Sequence, residues 1–292
     1  MIKMTDFKNA TELLMLCIDE NLKISEVMMR REIEAGETTR EISSSRMHRA
    51  WEIMRQSALG PIETPVRSIG GLIGGEARKL TRYQKEHQGI CGGVVSKGIT
   101  YAMAVLETNA SMGLIVAAPT AGSAGIVPGV MLAMQEEYGF SDEQIVEALF
   151  NAGAIGYIAM RNATVAGAVG GCQAEVGVAS AMAASAAVEL LGGTPQQCMD
   201  AASTVLTNML GLVCDPVHGL VEYPCQNRNA AGVANALIAA EMTMAGITQL
   251  IPLDEMMDTM YVVGKRMPPE LRETALGGCA VAPSACACCC NL

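Results

Sequence analysis

Cys214 and Cys225 bound the stretch Cys-Asp-Pro-Val-His-Gly-Leu-Val-Glu-Tyr-Pro-Cys, followed at once by Gln-Asn-Arg-Asn. Two thiols, two prolines, two carboxylates, a histidine and an arginine are crowded between long segments of Ala, Gly, Met and Val. A third thiol, Cys172, sits in a similar polar interruption, Gly-Gly-Cys-Gln-Ala-Glu over 170–175. Thiolates are soft ligands, so three of them brought to one point would hold an iron–sulfur cluster or a zinc ion. Zinc is the poorer fit, because no histidine stands at a helix-type ligand spacing. The spacing of the three is not the tight run of a ferredoxin. Buried free cysteine is also a common core residue. From the residues alone, metal ligation and plain core packing are both open.

Other groups could serve such a centre. Pro-Thr-Ala-Gly-Ser-Ala-Gly, 119–125, reads either as a turn or as a loop whose hydroxyls, Thr120 and Ser123, bind a carboxylate; no lysine follows the last glycine, so it is not a phosphate-binding loop of the Walker type. Arg228, flanked by Asn227 and Asn229, follows Cys225 by three residues, where it could face a ligand or merely start a helix. Cations are scarce here. Residues 91–292 contain only Lys97, Arg161, Arg228, Lys265, Arg266 and Arg272. The histidines, His48, His87 and His218, read as hydrogen-bonding residues rather than catalysts. Near the C-terminus lie Cys279 and then Cys286, Cys288, Cys289 and Cys290, either a frayed terminus or a source of a further ligand.

Elements must bring these groups together. The 292 residues are 50% hydrophobic and 17% charged, with 21 Met but only 3% aromatics, which suits close contact between helices. Residues 1–90 carry 14 basic and 13 acidic side chains, and the remainder is far poorer in charge. Two segments are therefore expected: a polar, amphipathic helical segment, 1–90, packed on a core, 91–292, that carries the site loops and the Cys-rich tail, the two forming one domain. Apolar positions at Leu13, Leu14, Cys17 and Ile18, then Ile24, Val27 and Met28, then Trp51, Ile53 and Met54 predict two or three helices over 8–59, closed by Gly60-Pro61. The basic run from Arg78 to Lys85 reads as a solvated face.

Beyond Gly92, apolar small-residue segments alternate with glycine-rich breaks, which predicts helices over 92–110, 127–138, 142–160, 173–191, 195–210, 228–247 and 254–266. Ser141-Asp-Glu-Gln144 and Thr194-Pro-Gln-Gln197 fit the capping box. No segment alternates with period two, so the fold is expected to be all-α, a bundle of Ala/Gly-rich helices around one that is apolar all round, Val176 to Val188. Irregular stretches at 118–126, 162–172, 211–227 and beyond Gly277 are where a ligand belongs.

A net charge of −10 argues against nucleic acid. Residues 108–135 lack charge, but Pro119, Pro128 and several Gly, Ser and Thr argue against a membrane span. The charged first thirty residues hold no apolar signal segment, so the cytosol, with its reduced thiols, is the expected compartment.

Four motifs together resemble the α chain of bacterial iron–sulfur-dependent L-serine dehydratase: Pro-Thr-Ala-Gly-Ser-Ala-Gly-Ile-Val-Pro-Gly (119–129), Gly-Gly-Cys-Gln-Ala-Glu-Val-Gly (170–177), the 214–225 stretch, and Leu-Arg-Glu-Thr-Ala-Leu-Gly-Gly (271–278). The resemblance implies an all-helical catalytic chain in which Cys172, Cys214 and Cys225 hold a [4Fe-4S] cluster, with L-serine as substrate and a separate β chain as partner. It also implies a tail cysteine that caps the fourth iron at rest, here Cys290. On that reading Asn227, Arg228, Arg272, Thr120 and Ser123 contact the substrate. The general base is unassigned, because none of the histidines lies in a motif that maps to one. Two rival readings are a pyridoxal-phosphate deaminase with Lys97 as the Schiff-base lysine, and a non-enzymatic membrane or scaffold subunit.

Overall fold

The computed structural model describes residues 5–87 and 89–287. Among them the regular structure is helical, and the one strand-like feature is an isolated parallel bridge between Cys214 and Arg272. The first segment supplies α1 (Ala10–Glu20), α2 (Ile24–Ala35), α3 (Arg40–Glu63) and α4 (Glu76–Glu86). Asn9 and Thr39 cap α1 and α3 with their side chains. These helices lie on the rest of the chain: Trp51 Nε1 donates to Asp142 at 2.9 Å, and the amides of Ser25 and Ala10 donate to Glu189 and Asp254.

Gly60-Pro61 does not close α3, which continues to Glu63. A proline inside a helix leaves the carbonyl four residues back without its donor. That carbonyl belongs to Ser57, and Thr108 Oγ donates to it at 2.8 Å, so the helix runs on. The basic run forms the outer side of α4, whose buried residue is Ala77.

α5 (Gly92–Ala110), α6 (Ile126–Tyr138), α7 (Asp142–Asn162), the short α8 (Gly167–Gly170), α9 (Val178–Leu190), α10 (Pro195–Asn208), α11 (Cys225–Met244), α12 (Leu253–Arg266) and α13 (Pro283–Ala287) complete the chain. Both expected capping boxes are formed, at Ser141 and Thr194. The central helix is α9: every residue from Val178 to Glu189 is buried, and α6, α7, α10 and α11 pack around it. Small residues permit this closeness. A Cβ at Gly232 of α11 would come within 2.6 Å of Ser180 Oγ on α9, and one at Gly129 of α6 within 2.8 Å of Gly98 O on α5.

Two helix starts differ from the sequence pattern, and both bear on the site. α11 begins at Cys225, not three residues later, because Glu222 O and Pro224 O already accept the amides of Gln226 and Arg228. The segment that enters α9 is wound as a π turn over Gln173–Gly177, directly after Cys172. Such turns concentrate at functional sites.

Candidate metal centre

Cys172 and Cys214 come from breaks 42 residues apart yet share one buried point, each 2% exposed. The π turn aims Glu175 at the same place. Sulfur atoms of Cys172 and Cys214 and a carboxylate oxygen of Glu175 all lie within 4.8 Å of one another. Cys214 is held there by backbone pairing, its amide donating to Leu271 O and its carbonyl accepting from Glu273 N. Gln173 anchors the other side, with Nε2 donating to Met260 O at 2.8 Å and Oε1 accepting the Gly211 amide. Cys225, 7% exposed at the first residue of α11, stands outside the 4.8 Å group, but the charges of Cys172 and Glu175 act on it.

Thr120 Oγ1 donates to Glu175 Oε1 at 2.9 Å and lies 3.1 Å from Ser123 Oγ. Asn229, fully buried, ties that loop to α11: Nδ2 donates to Gly122 O and Cys225 O, and Oδ1 accepts the Gly125 amide. Arg228 Nη1 is 2.7 Å from Asp215 Oδ1, donates to Val213 O at 2.9 Å, and reaches Cys172 Sγ at 3.5 Å. The second oxygen of Asp215 accepts the Cys279 amide, which fastens the C-terminal segment to the site. Arg272 pairs with Cys214 through its backbone, and its side-chain Nε is buried without a hydrogen-bond partner.

The hydrogen bond and charge of Cys172, together with burial, push the Cys214 thiol far above its ordinary range. Burial first, then the neighbouring charges, push Cys225 up to about 12, against the pull of Arg228. Burial also raises the Glu175 carboxyl, opposed by the Thr120 hydrogen bond. Crowded donors of this kind keep their protons unless a cation joins them, and a metal reverses that preference. The backbone comes close as well: a Cβ at Gly167 would stand 2.5 Å from Glu175 Oε2 and 2.9 Å from Cys214 Sγ. A sulfur-rich donor set with one carboxylate fits a thiolate-bound metal.

Of the residues singled out from the sequence, Thr120, Ser123, Cys172, Cys214 and Arg228 are thus brought together, with Cys225 and Arg272 beside them. Asn227 is exposed on the first turn of α11, while its neighbour Asn229 carries the connections. Cys290 lies outside the described residues. Lys97 stands in ion pairs with Glu137 and Glu136 at 3.2 and 3.5 Å. Burial acts to lower its pKa, but those carboxylates hold it above the ordinary lysine value, the wrong state for Schiff-base chemistry. His218 Nε2 lies 3.2 Å from Ala285 O. No helix among the described residues is long and apolar enough to cross a membrane.

Glu175 and Asp215 escaped the sequence reading as site residues. A signal existed for the first: Glu175 is the only acidic residue between Glu147 and Glu189.

The serine dehydratase alpha chain family matches residues 19–280. The chain is 47% identical over 278 residues to the Bacillus subtilis (strain 168) protein named "Probable L-serine dehydratase, alpha chain", covering 95% of this chain and 92% of that one. It is 43% identical over 271 residues to the Peptoniphilus asaccharolyticus L-serine dehydratase, alpha chain, covering 93% of each. L-serine dehydratase TdcG of Escherichia coli (strain K12) is 37% identical over 292 residues, which cover 94% of this chain but 62% of that longer one.

Proposed function

The chain belongs to the serine dehydratase alpha chain family, and on that premise we propose that it is the catalytic α chain of an L-serine dehydratase, a lyase that converts L-serine to pyruvate and ammonia. In this reading Cys172, Cys214 and Cys225 hold a [4Fe-4S] cluster, a separate β chain completes the enzyme, and the pair works in the cytosol. Residues 1–90 and 91–292 act as one unit. The observation that carries the reading is the meeting of the Cys172 and Cys214 sulfurs at one buried point, with Cys225 at the adjoining helix start.

Serine has a poor leaving group in its hydroxyl and a weakly acidic Cα–H. A cluster held by Cys172, Cys214 and Cys225 would supply a Lewis acid for the substrate hydroxyl and carboxylate. The chain's own residues do the rest of the binding. Arg228, fixed by Asp215, balances the negative charge of the thiolates. Thr120 and Ser123 offer hydroxyls beside Glu175, and Arg272, whose backbone pairs with Cys214, is the second cation of this reading. Burial keeps water from the sulfurs. Loss of the α proton and of hydroxide leaves aminoacrylate, which tautomerises and hydrolyses to the products. In this reading the base that removes the proton is placed on the β chain, because no histidine among the described residues joins the Cys172, Glu175 and Cys214 group.

Anaerobic purification, iron and sulfide analysis, and a pyruvate assay with and without the β chain test this. The α chain alone is expected to bind the cluster and turn over serine little or not at all. A colourless, iron-free protein overturns the cluster; full activity of isolated α chain overturns the placement of the base.

A further inference from the structure

We propose that two adjoining cavities between α2, α3 and α7 form a second binding site, separate from the metal centre, for an L-amino acid with an unbranched apolar side chain. The site goes beyond the function proposed above and does not rest on it.

The first cavity, of about 330 Å³, opens between these helices and the segment 116–119. Methionine dominates its lining: Met28, Met54 and Met182, all buried, stand with Met47 around the space. Such flexible, polarisable walls adapt to an unbranched apolar chain. The second cavity, of about 340 Å³, shares Met28, Met47, Ala50 and Gly153 with the first and adds Ser43 and Arg46, while Glu32 lines both. An apolar space of this size with a few polar groups at one end is the make-up of a small-molecule site.

The polar groups are the ones an amino acid would engage. Ser43 is only 7% exposed, and its hydroxyl has no hydrogen-bond partner among the described residues. A serine inside a helix ordinarily bonds back to the carbonyl four residues earlier. This one does not, and a hydroxyl left unpaired at such burial calls for a ligand. Arg46 is exposed and forms no ion pair among the described residues. Glu32 accepts from Arg31 Nη1 on one oxygen, at 3.0 Å, and keeps the other. A cation and an anion lining one cavity match the carboxylate and the ammonium group of an amino acid, whereas Glu32 repels a fatty-acid carboxylate. Gly153 leaves bare the wall common to both cavities: a Cβ there would meet only Met28 Cε, at 3.9 Å. A glycine inside a helix is unfavourable relative to alanine, so the open space comes at a cost to α7. The far wall of the first cavity, Val116 to Pro119, runs directly into Thr120, so an occupant touches the segment that leads to the metal centre.

The test is calorimetric titration of the full-length α chain, prepared anaerobically, with L-methionine, L-alanine and hexanoate. L-methionine is expected to bind. L-alanine, which has the head group without the chain, is expected to bind on the order of 10- to 100-fold more weakly, as for one apolar side chain left unburied. Hexanoate, which has the chain and the carboxylate without the ammonium group, is expected to bind roughly 10-fold more weakly, as for loss of one charged hydrogen bond. Arg46→Gln is expected to weaken L-methionine by a similar factor, roughly 10-fold. Gly153→Leu, whose side chain fills the junction of the cavities, abolishes binding while the thermal midpoint is kept or raised. Absence of L-methionine binding at millimolar concentration overturns the proposal, as does equal binding by wild type and both variants. Hexanoate bound as tightly as L-methionine overturns it too. Should Gly153→Leu fail to fold, Arg46→Gln, at the surface, decides alone.

Discussion

Arg228 Nη1 and Asp215 Oδ1 lie 2.7 Å apart, with 15% and 3% of their side chains exposed. The same guanidinium nitrogen touches the Cys172 sulfur, and the same carboxylate holds the Cys279 amide, so one ion pair joins three parts of the site. Breaking a buried pair from one side strands a charge. Asp215→Ala is expected to cost about 3 kcal/mol, read as a lower urea midpoint, and to lower the iron content. An unchanged midpoint would show that the pair contributes nothing to the fold.

Gly167→Ala should discriminate between site and scaffold. The added Cβ meets Glu175 Oε2 and Cys214 Sγ while the helices stay untouched. Circular dichroism and the thermal midpoint are expected to change little, whereas iron and sulfide content falls. Full iron loading in this variant would contradict a metal held by these donors.

Without a bound metal, burial governs how the thiols react. In iron-depleted protein, Cys91 and Cys286, both exposed, are expected to alkylate quickly at pH 8. Cys225, with its pKa pushed up to about 12, presents little thiolate and reacts slowly, faster as pH rises toward that value. Mass-spectrometric labelling rates decide, and Cys225 reacting as fast as Cys91 at pH 8 would refute the assignment.

Thr108 is expected to support α3 through Pro61. Thr108→Val leaves the Ser57 carbonyl unpaired and should cost about 1 to 3 kcal/mol in urea unfolding. Pro61→Ala in that background restores a backbone N–H and should recover part of the loss. No recovery would assign the Thr108 effect to packing alone.

Glu107 is fully buried, and burial raises its carboxyl pKa, opposed by hydrogen bonds from the Ala77 amide and its neighbours. A folded pKa above the unfolded one contributes stability that is complete below the unfolded value and is lost as pH rises through the folded one. Glu107→Gln is therefore expected to gain stability relative to wild type between pH 4 and pH 8. Urea midpoints at both values check the sign; a falling difference would rule out a raised pKa.

Most of the architecture was legible in the chain because its signals are local. Capping residues at Ser141 and Thr194 meet their own amides three residues on, and the uniformly apolar run at 176–188 has no polar face to present to water. Cys172, Cys214 and Cys225 stand out in the sequence for a different reason: each lies where Gly, Pro or charge interrupts an apolar stretch. Where the reading failed, a distant residue was responsible. Gly60-Pro61 looks like an end only until Thr108 supplies a donor, and Cys225 looks like loop until Glu222 O and Pro224 O are seen to accept the first amides of α11.

Composition and periodicity by themselves determined that this protein is helical, which helix lies at its centre, and which thiols fall in polar breaks of the apolar pattern, since those properties depend on neighbours within a few turns. Only the tertiary structure decided that Glu175 joins Cys172 and Cys214, that Asp215 holds Arg228, and that Asn229 rather than Asn227 carries the connections. Those pairings span up to 107 residues of chain, as between Gly122 and Asn229. Contacts at such separations are set by how helices pack, and packing is decided by the whole core at once.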